Sequence, residues 1–300
     1  MIYVFLSTIC MSMLILSVKI AGVRGANNNH VTFLNYVVAF IITLCMSIAG
    51  GKLRIFSELG NVDINTVFSV KSIPGTAFLV IATGIVSGIS FPTNLIEVKD
   101  STAVNGSAIT AFFKQMSTLG GLLIAIVFMG EHPTGIQWIG MLLMVAAIAM
   151  MVLDFKSLRI NNGLILILIL LVGSVMETGN KVISKYTVEG YSLVYLTVTF
   201  FVAMIFVVIY LLKQEGSKCF SFSGKDVFYG ALLGLSNIGN NFFKIQALNV
   251  LPAAVVIPIV AAGSLIITNL VGIVFFKEKA NKLYGLAVAV AIISIFMLNF

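Results

Sequence analysis

Apolar residues run along this chain in long blocks, not in alternation, and short clusters of Gly, Pro, Asn and charge separate the blocks. A helix needs roughly 20 mainly apolar residues to cross a hydrocarbon core of about 30 Å. Ten stretches qualify: 2–19, 31–49, 75–96, 103–129, 136–153, 163–184, 192–212, 227–248, 252–276 and 283–299. Polar residues interrupt the fourth, eighth and ninth. The longest polar segment, GGKLRIFSELGNVDINTVFSVKSIPG, separates the second span from the third. It is too short for a domain and reads as a cap on the membrane surface. The first stretch, MIYVFLSTICMSMLILSVKI, has no basic start and no small-residue cleavage site, so it reads as a retained span and not as a signal peptide.

Composition agrees. Of 300 residues, 59% are hydrophobic and 10% charged, with a mean hydropathy of +1.10. Soluble domains carry about 25% charged residues, so the expected class is an all-α integral membrane protein whose first partner is the lipid bilayer. The net charge of +7 comes without a basic stripe or an RNA-binding signature, and no nucleic-acid partner is expected. Basic loop ends beside anionic headgroups account for it. Cys10, Cys45 and Cys219 do not form a disulfide framework, and His30 and His132 stand alone in expected loops. The sequence lacks CxxC, HExxH, GxSxG and P-loop patterns, so no metal, no cofactor and no catalytic residue is expected.

The two halves resemble each other. MGEHPTGIQWIGMLLMVAAIAMMVLDF closes the first and FKEKANKLYGLAVAVAIISIFMLNF the second, with Gly140 over Gly285 and VLDF (152–155) over MLNF (297–300). Upstream, TAFLVIATG (76–84) lies over DVFYGALLG (226–234), and Lys19 over Lys185. Five spans per copy send the second copy into the membrane from the opposite face. The expected fold is therefore ten transmembrane helices in two inverted five-helix repeats, 1–155 and 163–300, joined by a linker at 156–162. Such repeats mark transporters whose substrate sites lie near the midplane.

The segment QALNVLPAAVVIPIV, followed by FFKEK and YG within residues 246–285, resembles the EamA-like family of the drug/metabolite transporter superfamily. The first half keeps GEHPTGIQWIG but departs from the family pattern at NLIEVKDSTAVNGSAI. The resemblance implies ten helices, inverted repeats, both termini in the cytoplasm and transport of small metabolites. It does not name a substrate.

Most charges fall at segment ends. Glu131 and Glu278 occupy a position of the family pattern and read as interfacial caps. Lys114 is different: counted from Ala103 it lies about 16 Å into its helix and about 25 Å from Glu131, too deep to snorkel. Its counterpart in the second half is Ala261, so repeat packing does not require it. Glu177, whose counterpart is Met11, lies about 20 Å in from Leu164. Two partners stand open for it: Lys114 across a cavity, or Lys181 four residues on. In the first reading both charges bind an ionic or zwitterionic solute, and Glu177 is also a candidate for a coupling proton.

Asn237, Asn241 and Lys244 recur at i, i+4 and i+7, with Asn240 beside them, and read either as a cavity wall or as packing between helices. Asn35 is a weaker candidate of the same kind. Gly120, Gly121, Gly263 and Ser264 read as close-packing points of the fourth and ninth helices, and Pro252 and Pro258 as kinks of the ninth.

Orientation signals conflict. Of 18 Lys and Arg, eleven fall in odd-numbered loops and six in even-numbered loops or their edges. The positive-inside rule would put the odd loops inside, against the family's orientation. The expected function is a gradient-driven secondary transporter of a small solute in the bacterial inner membrane. The alternatives are a passive facilitator of the same fold and, more remotely, a membrane-embedded enzyme.

Overall fold

Lipid offers no hydrogen-bond partner, so a spanning backbone must satisfy its own N–H and C=O groups, and a helix does so within one segment. The computed structural model describes residues 1–63, 65, 67, 71–152, 160–216, 220–277 and 283–299, and among them there is no strand. The helices are α1 (Ile2–Val23), α2 (Asn28–Ala49), α3 (Ile73–Asn105), α4 (Ser107–Met129) and α5 (Gly135–Val152). They continue as α6 (Gly163–Tyr186), α7 (Ser192–Glu215), α8 (Gly224–Val250), α9 (Ala253–Phe276) and α10 (Tyr284–Leu298). A 3-10 helix, Lys52–Asn61, occupies part of the polar segment between α2 and α3. Among the described residues eight helices, α1 to α7 and α9, are long and apolar enough to cross a membrane. This is the build of a multi-pass membrane protein. Glu278, Cys219, Phe300, residues 153–155 of VLDF and residues 156–159 of the linker lie outside the described residues, as do Lys218, Lys279 and Lys282.

Two expectations change. The third span does not stop near residue 96: α3 continues for 33 residues through EVKDSTAVN, and the chain turns only at Gly106, at φ 84°. Polar side chains solvate one face of a helix without ending it. What ends it is a backbone conformation that glycine alone adopts at little cost. Pro252 is also not a kink, since it precedes α9 as its N-cap, whereas Pro258 does lie inside that helix.

The stretch LILILILLV in α6 shows how such a sequence can be both greasy and specific. Leu164, Ile167, Leu168, Leu171 and Val175 are exposed on one stripe, where they meet lipid. Leu166, Ile169, Gly173, Ser174, Asn180, Lys181 and Ser184 are buried on the opposite stripe. Glu177 falls four residues from both Gly173 and Lys181, on that inner stripe.

Packing divides the interior into two apolar cores. One joins α4, α5, α9 and α10 through Leu122, Met144, Ile148, Val256 and Ala287. The other joins α2, α3 and α7 through Tyr36, Phe91, Tyr195 and Phe200, with Ile238 and Ile245 of α8. The second core is drawn tight by two glycine pairs with the same spacing. On α3, a Cβ added at Gly84 would lie 2.7 Å from Val198 Cγ1, and one at Gly88 2.6 Å from Val202 Cβ. On α8, Gly230 meets Leu34 and Gly234 meets the Asn35 carbonyl oxygen. Small residues four apart allow two helix backbones to approach where lipid provides no hydrophobic drive between them. Gly120 and Gly121 press α4 onto α6 at Ser174 and Glu177, and Gly263 presses α9 onto α1 at Thr8.

Gly88→Leu should therefore wedge α3 from α7. The expected cost is about 1–3 kcal/mol, the usual range for overpacking, read as a lowered melting temperature in detergent. Gly22→Leu, where an added Cβ meets nothing within 4 Å, should leave the melting temperature unchanged.

Candidate functional site

Between the two cores lies a cavity of about 450 Å³, lined from α1, α2, α3, α4, α6, α7 and α8. Lys114, Glu177, Asn180, Asn237, Asn240, Asn241, Lys244 and Asn35 all contribute to its wall. Asn28, Asn29, Lys99 and Thr102, at the ends of α2 and α3, also border it. Its mouth is thus on the face of the odd-numbered loops.

Neither expected partner of Glu177 is the real one. Lys244 of α8 donates to both carboxylate oxygens, at 2.8 Å to Oε1 and 3.1 Å to Oε2. Lys244 is buried and the Glu177 side chain is only 13% exposed. Lys181, one turn further along α6, pairs instead with Glu131 at the end of α4. Both Glu131 oxygens also accept the Ala253 backbone N–H, each at 3.1 Å, which caps the first turn of α9 with a carboxylate. Glu131 is a cap, as expected, but of a helix in the other half of the chain. Beside it a separate cavity of about 470 Å³, bordered by Lys71, His132, Lys181 and Lys185, opens toward the even-numbered loops.

Lys114 fails to reach Glu177 because of the corrected end of α3. With α4 beginning at Ser107, Lys114 lies about 10 Å along it, not about 16 Å. Glu177 lies about 21 Å along α6. The two helix starts are level, since Asn105 Oδ1 accepts the Asn161 and Asn162 amides at 3.0 and 2.9 Å. The lysine stem instead extends inward, and its ammonium donates to Asn94 Oδ1. Asn94 in turn donates to the Ile169 carbonyl at 3.1 Å, so it holds Lys114 against α6.

The asparagines are both wall and packing. Asn180 donates to Asn241 (3.2 Å), Asn241 to Asn237 (2.8 Å) and Asn237 to Asn35 (3.2 Å), a ladder crossing α6, α8 and α2. The Tyr195 hydroxyl donates to Ser87 at 2.9 Å beside it. Asn240 stands outside the ladder and accepts from Ser7 Oγ of α1 at 3.0 Å. Asn94 and Asn180 were not singled out in the sequence, although Asn180 sits three residues from Glu177 in ETGNK, a spacing that shares a helix face.

His30 is not a lone loop residue. It is buried in the first turn of α2, with Nε2 2.8 Å from Glu215 Oε2 and Nδ1 3.3 Å from Asp226 Oδ2. It thereby ties the ends of α2, α7 and α8 beside the mouth.

Along 99% of its length the chain is similar to a solved structure described as "Crystal structure of protein", with a TM-score of 0.69, 10% identity and 94% of that chain covered. At that identity the likeness concerns the fold alone. No family model and no curated protein matches the sequence.

Lys244→Met leaves a buried carboxylate without its cation, and Glu177→Gln the reverse. Each should cost about 3–5 kcal/mol, the usual effect of breaking a buried pair from one side. Glu177→Gln combined with Lys244→Met should recover most of the loss in a detergent melting assay. Glu177→Gln combined with Lys181→Met should not, because it orphans Glu131 as well.

Proposed function

We propose that the chain is a secondary transporter of a small organic solute, built as ten spans in two inverted five-helix repeats and working by alternating access. The observation that carries this reading is the charged, amide-lined cavity, bordered by helices of both halves and opening to one face. A deep ion pair and buried amides are costly in a membrane and characteristically mark solute or ion pathways. Reciprocal packing supports the repeat: α2 meets α7, α4 meets α9 and α5 meets α10, while α3 meets α7 as α8 meets α2. The resemblance of residues 246–285 to the EamA-like pattern supports it further. In this reading the driving force is a gradient of protons or of an exchanged solute, because the sequence holds no P-loop. The membrane is a bacterial inner (plasma) membrane, with both termini cytoplasmic and the mouth near Lys99 on the opposite face.

Two measurements test the proposal. Proteoliposomes holding the purified protein and an imposed gradient should accumulate a ligand above its external concentration. Mere equilibration would mean a passive facilitator. A cysteine introduced beside Phe300, with Cys10, Cys45 and Cys219 replaced, should react with a membrane-impermeant reagent only after the cells are opened.

A further inference from the structure

Three ionised side chains line the inner cavity: Lys114, Glu177 and Lys244. Two of them satisfy each other, since both Glu177 oxygens are engaged by the Lys244 ammonium. Among the described residues Lys114 is left with a single neutral acceptor, Asn94 Oδ1. An ammonium carries three N–H donors and accepts nothing, so Lys114 has two donors unspent. Among the described residues no carboxylate forms an ion pair with it. Glu97, one turn along α3 from Asn94, does not line the cavity, and its Oε2 is buried without a partner. Glu177, and more weakly Glu97, act on the Lys114 ammonium at longer range without a hydrogen bond to it. A desolvated cation of this kind is costly until an anion meets it.

The rest of the wall describes the other end of the ligand. Met11, Leu14, Leu95, Met176 and Leu233 line the same cavity. Its volume lies within the usual range for small-molecule pockets, roughly 300–1,000 Å³. Lys99 stands at the mouth, exposed, with its ammonium 3.2 Å from Asn29 Oδ1, where a positive charge draws anions inward.

We infer that the cavity selects a monoanionic organic solute with an apolar body, its anionic group on the Lys114 ammonium and its body against the methionine and leucine side chains. The inference rests on the reading of this cavity as the substrate site. It assigns recognition to Lys114, and leaves the Glu177–Lys244 pair to hold α6 to α8.

Three probes of one shape test it on the purified full-length protein: phenylacetate, phenylacetamide and phenethylamine, by isothermal titration and thermal shift. Phenylacetate should bind saturably, the amide and the amine at least about tenfold more weakly. Lys114→Met should remove the preference for the anion, and Lys114→Arg should keep it. The arginine variant also guards against reading a folding defect as lost recognition. Equal binding of the three probes, preference for the amine, no saturable binding of phenylacetate, or an unchanged preference in Lys114→Met would each overturn the inference. Anion binding through Lys114 without accumulation in proteoliposomes would instead sink the transporter reading and leave the anion site standing. Accumulation of phenethylamine alone would do the opposite.

Discussion

One contact between an ammonium and a carboxylate organises the interior. Lys244 and Glu177 are each too costly to bury alone, and each removes the other's penalty only if α6 and α8 keep their spacing and rotation. That requirement propagates. To hold α6 in place, α4 must come close, which Gly120 and Gly121 permit by leaving room for Ser174 and for the Glu177 side chain itself. To hold α8, α2 must come close, which Gly230 and Gly234 permit in the same way. The asparagine ladder then crosses between α6, α8 and α2 on the same levels. Polar groups in the middle of a membrane thus fix the register of helices that apolar packing alone would leave free to slide.

Much of this is legible in the residues alone. Blocks of apolar sequence mark the helices because the membrane imposes a minimum length and forbids exposed backbone. Asn237, Asn241 and Lys244 announce a common face because helical periodicity is a local property. The partner of Glu177 was not legible. Lys181 is its neighbour in sequence and Lys114 its neighbour in estimated depth, yet Lys244 is its neighbour in space. Pairing depends on how helices rotate against one another, and side-chain spacing within one helix says nothing of that. The depth of Lys114 differs from the expected one for a simpler reason. A polar run has the composition of a loop, whereas the chain turns only at Gly106, where φ is positive. His30 escaped notice because its two carboxylates, Glu215 and Asp226, are remote in sequence and meet it only through the folding of three helix ends.

The two ends of the bundle are fastened differently. On the even-loop side, Glu131 joins α4 to the first turn of α9 and to Lys181 of α6. Most of those groups are backbone or deeply placed. On the odd-loop side exposed side chains such as Lys99 stand beside buried ones such as His30, Asp226 and Asn105.

The histidine has a mechanical consequence. With a carboxylate beside each ring nitrogen, it ties the rim segments of α2, α7 and α8 together, so that none of the three ends can move without the other two.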